Sequence, residues 1–178
     1  TPAASVSDFQ EQKEQVKHLL AASMRGDASR IKYLLDHARP TMPIIDVPNL
    51  MLVTPLMFAA LAPDGDQAVQ VLLRAKAGIL HLTQHSSSVL SMSAQAGTLK
   101  TAKALLESNA SLLMDQCDDQ GYTPLHVAVE NGHGDVAKML INAGAKVTIP
   151  RKNGWTCLMS AAFFGSADII EDLVHRGG

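Results

Sequence analysis

The chain has 178 residues, 47% hydrophobic and 18% charged, a balance that supports a packed core and excludes a disordered segment. With 15 Lys+Arg against 17 Asp+Glu and no basic run longer than Arg151-Lys152, it lacks the clustered cations of a nucleic-acid footprint. The longest apolar stretch, Leu50 to Ala62, is broken by Thr54-Pro55 and falls short of the roughly 20 residues of a membrane span, so no membrane insertion is expected.

Elements follow in chain order. Ser7 with Gln10 forms a candidate capping box, and Asp8 to Gln15 is helix-compatible and polar. This predicts a long polar first helix continuing through Leu19 to Met24 and shielding that end. Gly26-Asp27 makes the turn, and Leu34-Leu35 marks a second helix. Three prolines between Pro40 and Pro48 then keep the chain extended.

Thr54-Pro55-Leu56-Met57-Phe58-Ala59-Ala60 opens the next helix pair, and Pro63-Asp64-Gly65-Asp66 gives it a turn one residue longer than usual. The same core recurs as Ser88-Val89-Leu90-Ser91-Met92-Ser93-Ala94, behind Ser86-Ser87. It returns most clearly as Thr123-Pro124-Leu125-His126-Val127-Ala128, and again as Thr156-Cys157-Leu158-Met159-Ser160-Ala161. Each core is followed by an aliphatic pair: Leu72-Leu73, Leu105-Leu106, Leu140-Ile141 and Leu173-Val174. The third copy carries two extra residues around Ser111 to Asp115. Five units result, at about 12–48, 49–82, 83–117, 118–150 and 151–178.

Recurrence of the core every 33–35 residues, at Thr54, Ser88, Thr123 and Thr156, is the signature of stacked helix-turn-helix units, none of which can bury its apolar face alone. Thr123 can cap a helix whose first turn accepts Pro124, and Gly97, Gly132 and Gly165 suit the left-handed residue that ends the first helix. Thr-Pro-Leu-His, then Ala, Gly132-His133, an aliphatic pair and Gly144-Ala145 resemble the ankyrin repeat over nearly the whole chain. The resemblance implies an all-α ankyrin-repeat solenoid of about five helix-turn-helix units. No polar capping unit is visible after Leu173-Val174, and Thr1-Pro2 carries no initiator Met or leader, so a fragment of a longer protein is expected.

The chemistry-bearing residues point away from catalysis. Cys117 and Cys157 lack close-spaced partners, which fits reduced thiols in an intracellular protein. Cys157 stands at the repeat's Pro position and is expected to be buried and inert. The resemblance assigns His126 and His133 to hydrogen bonds within and between repeats. His81 and His85, four apart, fall in an inter-repeat loop without a neighbouring acid or Cys, so no metal is expected. Asp115, Asp118 and Asp119 lack the Gly and Glu positions of a calcium loop. No nucleophile-and-base arrangement, phosphate loop or cofactor fingerprint appears, so the chain is not expected to be an enzyme.

What remains is binding. In the ankyrin family partners dock on the concave face, made by the loop tips and the exposed side of each first helix. Carried onto this sequence, the positions include Met51 and Leu61, with Leu50 and Val53; then Gln84, His85 and Gln95, with Ser87. The fourth repeat adds Asp119, Tyr122, Glu130 and Asn131, with Gln120. The fifth adds Lys152, Trp155, Phe163 and Phe164, with Asn153.

Trp155, Phe163, Phe164 and Tyr122 are four of only seven aromatics. They read either as an interface platform with Glu130 and Lys152 at its rim, or as packing against a neighbouring repeat. Ile44, Ile45, Val47 and Leu50 to Val53 read first as a satellite core under a long loop. The functional expectation is a scaffold or adaptor that binds another protein or peptide. Its alternative is the regulatory or substrate-recruiting array of a larger enzyme or channel. The sequence fixes neither the partner nor the oligomeric state.

Overall fold

A computed structural model of the chain describes residues 6–38 and 43–177. Among them are ten α-helices and no strand: α1 (Val6–Met24), α2 (Ala28–Asp36), α3 (Pro55–Leu61), α4 (Asp66–Arg74), α5 (Val89–Ala96), α6 (Leu99–Glu107), α7 (Pro124–Glu130), α8 (Gly134–Asn142), α9 (Cys157–Phe163) and α10 (Ala167–His175). They form five helix pairs in the expected register. Residues 1–78 and 79–178 are two compact bodies. In the first, α1 packs on α3 and α2 on α4. In the second, α7 lies between α5 and α9, and α8 lies between α6 and α10.

The caps explain where the first helices start. Thr54, Thr123 and Thr156 sit in extended backbone, and each side chain accepts the N–H of the residue three positions on. Ser88 does the same for α5, with the Ser91 N–H 3.2 Å from its Oγ, so a serine suffices where the Thr-Pro lead is missing. At α7 the bond is reciprocal, since the Thr123 N–H donates to His126 Nδ1 at 3.4 Å.

Small residues set the spacing between layers. Ala59, Ser93, Ala128 and Ala161 are all fully buried, as are Leu72, Leu105, Leu140 and Leu173 from the second helices. Gly97 shows how close the approach becomes. It has φ +69°, and a Cβ there would stand 2.3 Å from the His133 ring, which reaches back to the Gln95 carbonyl at 2.9 Å.

Before each first helix of repeats 2 to 5, the chain makes a tight hairpin-like tip. Its main-chain closure recurs from Asn49 to Val53, Thr83 to Ser87, Asp118 to Tyr122 and Arg151 to Trp155, at 2.8–3.0 Å. Asn49 Oδ1, Thr83 Oγ1, Asp118 Oδ1 and Asn153 Oδ1 clip the tips by accepting backbone N–H groups. Two residues before each cap the backbone is left-handed, and the occupants are Leu52, Ser86, Gly121 and Gly154. Glycine takes that conformation freely, whereas Leu52 holds it at a cost of about 1–2 kcal/mol.

Two expectations change. Ser7 lies inside α1 and is not its cap, and the helix runs through the place where a first tip would stand. α1 is polar as expected, burying Val16, Leu19, Ala22 and Ser23. Of the proline-rich join, residues 39–42 lie outside the described residues, and 43–53 carry no helix. The apolar cluster there divides. Ile44 is buried with Asp46 accepting the Gly78 N–H at 2.8 Å, but Leu50, Met51 and Leu52 stand out on the tip, so a satellite core forms around Ile44 alone. The extra residues of repeat 3 become a 3-10 turn, Ala110–Leu113.

Two stability measurements check this description. Leu140→Ala, at a fully buried site, is expected to cost about 2–5 kcal/mol in chemical denaturation, and a loss of only a few tenths would place Leu140 outside the core. Leu52→Gly relieves a left-handed backbone at an exposed side chain and is expected to raise stability by roughly 0.5–1 kcal/mol. A destabilised Leu52→Gly protein would show that the leucine side chain is held by contacts that outweigh its backbone strain.

Candidate functional site

The candidate residues of the first body are Leu50 and Met51, exposed on its tip, Val53, half-buried there, and Leu61, half-buried at the end of α3. The others belong to the second body, where neighbouring tips are tied together by a repeated main-chain bond. The Asp119 N–H donates to the His85 carbonyl, and at the next join the Lys152 N–H donates to the Gln120 carbonyl, each at 3.1 Å. Asp119 also accepts the Ser86 hydroxyl at 2.7 Å and sits 3.7 Å from His85 Nδ1. His85 therefore has an acidic neighbour that the sequence did not reveal, because Asp119 comes from the following repeat.

The three aspartates considered above are separated by their bonds. Asp115 accepts the Lys146 N–H at 2.9 Å, Asp118 clips its own tip, and Asp119 joins two tips. Among the described residues no group of three or more His, Cys, Asp or Glu is placed to hold a metal ion. Gln84 and Gln95 are exposed. So is Asn131, whose amide donates to the Val127 carbonyl at 2.8 Å beside the end of α7.

The join between repeats 4 and 5 centres on Arg151. Its guanidinium lies 3.1 Å from Glu130 Oε1, donates to the Tyr122 hydroxyl, and covers the Tyr122 ring at 4.5 Å and the Trp155 ring at 5.6 Å. Ser160 donates to the same Glu130 oxygen at 2.8 Å. The Arg151 and Glu130 side chains are only 10% and 18% exposed. Glu130 thus departs from its expected place on a polar rim: its carboxylate is consumed by the join. Breaking such a largely buried pair costs far more than losing a surface pair.

Arg151 and Ser160 were not singled out by the sequence. The available signal was an arginine at the position where other tips carry Asn49, Thr83 or Asp118, 29 residues after the tyrosine it covers.

On the other side of Trp155 the aromatics continue outward. Trp155 meets Phe163 edge-to-face at 5.7 Å and 79°, and Phe163 meets Phe164 at 5.2 Å and 87°. Trp155 is half-buried, while Phe163 is 72% and Phe164 51% exposed. Tyr122 joins this group only through Arg151.

The register separates two surfaces of repeat 5. Met159 corresponds to His126 and Ser91, and Ala162 corresponds to Val129 and Ala94; these four counterparts are buried where another repeat follows. Met159 and Ala162 are exposed, so they lie on the stacking face. Phe163 and Phe164 correspond to Gln95 and Ala96 in repeat 3, and to Glu130 and Asn131 in repeat 4. Gln95 and Asn131 stay exposed and Ala96 half-buried with another repeat beyond them, whereas Glu130 is drawn into the join by Arg151 and Ser160. Phe164 therefore occupies a position that stacking leaves open in repeats 3 and 4, and Phe163 one that it leaves open in repeat 3.

His126 and Cys157 lie beneath the site. Burial pushes the Cys157 thiol up to about 12, helped by the Glu130 charge, which leaves it a packing residue. Burial, and then the Arg151 charge, hold the His126 titration below its ordinary value. A backbone interaction with Trp155 and the Glu130 and Asp118 charges oppose the shift. The unfolded chain, titrating near 6.5, then binds the proton more readily than the folded one, so His126 contributes stability above that pH and loses it as the pH falls. Unfolding free energy is expected to decline from pH 7 toward pH 5. His126→Gln is expected to flatten that slope, and an unchanged slope would assign it to other groups.

The family model for ankyrin repeats (3 copies) matches residues 56–151 and 90–178. The human transient receptor potential cation channel subfamily A member 1 is 34% identical over 113 residues, covering 63% of this chain and 10% of the channel. The Notch-regulated ankyrin repeat-containing protein of Xenopus tropicalis is 29% identical over 96 residues, covering 53% of this chain and 84% of that protein. Human M-phase phosphoprotein 8 is 40% identical over 76 residues, covering 43% of this chain and 9% of that protein. The chain thus spans a small part of the channel and of the phosphoprotein, and most of the Notch-regulated protein. With the repeat register, the caps and the family match in agreement, the chain belongs to the ankyrin-repeat family.

Proposed function

We propose that this chain is a scaffold or adaptor module that binds a partner protein or peptide on the surface formed by the tips and first helices, the concave face in this family. Its principal contact is the Trp155, Phe163 and Phe164 group. The observation that carries the reading is the exposure of Phe163 and Phe164 at positions whose counterparts Gln95 and Asn131 stay exposed with another repeat beyond them. Large apolar side chains with no stacking role at such positions support an interaction surface. Lys152, Asn131, Gln95, Gln84, His85 and Asp119 lie on the tips and first-helix ends of the same body and supply polar contacts around it. Within the first body, Met51 and Leu61 hold the equivalent tip and helix-end positions.

The role is non-catalytic, with Cys157 buried and protonated beneath the surface rather than poised as a nucleophile. No helix among the described residues is long and apolar enough to cross a membrane. The separated thiols Cys117 and Cys157 support an intracellular setting.

A second reading is favoured by the match that covers only a tenth of a human channel: the repeats serve as a regulatory or recruiting array within a larger channel or enzyme. Both readings use the same surface.

The double variant Trp155→Ala with Phe164→Ala tests it by partner capture read by mass spectrometry, alongside thermal unfolding. Capture is expected to be lost with Tm lowered by only a few degrees. A large fall in Tm would mean that the aromatics belong to the core, and retained capture would place the interaction elsewhere.

A further inference from the structure

The glycine that follows each first helix leaves a corner, and the joins within the two bodies close it differently. At Gly26 the main chain of the next repeat closes it: a Cβ there would stand 3.1 Å from the Asp64 carbonyl oxygen. At Gly97 the His133 ring closes it, and its Nε2–H donates to the Gln95 carbonyl at 2.9 Å. The join after that repeats the backbone geometry, with Gly132 at φ +75° and Ser166 in the place of His133. There a Cβ would meet nothing within 4 Å.

The open corner belongs to a cleft of about 390 Å³, with the buried side chains of Val129 and Ile169 among its walls. That size falls at the lower end of ligand-binding clefts, which run from about 300 to 1,000 Å³. Two local choices create it. Ser166 is too short to cover Gly132 as His133 covers Gly97, and its side chain makes no capping hydrogen bond at the start of α10. Gly134 stands where repeat 3 carries Leu99, and a Cβ on it would find its nearest neighbour, Ile169 Cδ1, as far away as 3.9 Å.

The preceding join shows what such a corner accepts: a flat ring lying on glycine, with an N–H aimed at the carbonyl two residues before it. The equivalent carbonyl at the open corner is that of Glu130. The ionisable residues lining the cleft are Asp135, Lys138 and Asp168, the last two 3.4 Å apart. Two acids and one cation admit an imidazole whether neutral or protonated.

We propose that this cleft is a second binding site, and that its ligand is a histidine side chain of a partner protein. The ring lies over Gly132 as His133 lies over Gly97, and one ring N–H donates to the Glu130 carbonyl. The site does not rest on the Trp155, Phe163 and Phe164 group. It directly follows Asn131 and Phe164 in the chain, so one partner can reach both.

The test follows the methyl signals of Val129 and Ile169 in the isotope-labelled full chain during titration with 4-methylimidazole, at about pH 9 where the ring is neutral. Saturable shifts at those methyls are expected, with an affinity in the range of roughly 1–10 mM for so small a probe. 1-Methylimidazole, a ring without an N–H, is expected to bind about fivefold more weakly. Ser166→Ala, which keeps the space, is expected to bind like the unaltered chain. Ser166→His supplies the ring from the chain itself, so binding is expected to vanish and Tm to rise. N-Acetylhistidine methylamide, which carries the ring on a peptide unit, is expected to bind at least as well as 4-methylimidazole. Unmoved methyls, equal binding of 1-methylimidazole, or undiminished binding by Ser166→His would overturn the site. Binding of 4-methylimidazole without the peptide-borne ring would overturn the protein partner in favour of a free imidazole. Each of these results leaves the aromatic interaction surface standing, since none of the variants touches it.

Discussion

Two short helices joined by a turn present more apolar surface than they can cover by themselves, and every feature of this chain answers that constraint. The cover comes from the neighbouring repeat, which must approach closely enough to exclude water. Close approach demands small residues at one position, Ala59, Ser93, Ala128 and Ala161, and bulky aliphatics at another, Leu72, Leu105, Leu140 and Leu173. Burial of those side chains supplies the main stabilisation at roughly 25 cal/mol per Å² of apolar area. The caps, clips and left-handed turn residues serve mainly to satisfy backbone groups that such short helices leave unpaired.

The same constraint makes repeats comparable with one another, which gives the exposed residues a meaning they would lack in a non-repeating fold. A position buried wherever another repeat follows, such as that of His126 or Ala94, is a stacking position. A position left open in the same circumstances is free for other use. By this comparison Met159 and Ala162 belong to the packing surface, whereas Phe163 and Phe164 belong with Gln95 and Asn131 on a surface the fold leaves to solvent.

The join between repeats 4 and 5 shows how packing and recognition are coupled. Arg151, held by Glu130 and capped by the Tyr122 hydroxyl, fills the space between two aromatic rings and orients Trp155 from behind. Because the ion pair is largely withdrawn from water, its geometry is demanding, and Ser160 completes the hydrogen bonding of the acid. Trp155 is thus a structural residue on one face and a candidate contact residue on the other.

The sequence by itself determined the helices and their order, although Ser7, which it offered as the first cap, lies inside α1. The spacing of Thr54, Ser88, Thr123 and Thr156, and of the aliphatic pairs behind them, is a local periodic signal, and local signals do not need the rest of the chain to be read. It also nominated Trp155, Phe163 and Phe164, since aromatics at exposed repeat positions stand out by composition alone. Tertiary structure alone decided the partners. That His85 faces Asp119 and that Arg151 takes Glu130 away from the surface depend on side chains brought together across repeats, whereas Leu52 takes its left-handed turn, filled elsewhere by Gly121 and Gly154, in the local closure of its own tip. Periodicity fixes which residues are equivalent. Which of them touch depends on distances of a few ångströms between helices and tips, and that information exists only once the repeats are stacked.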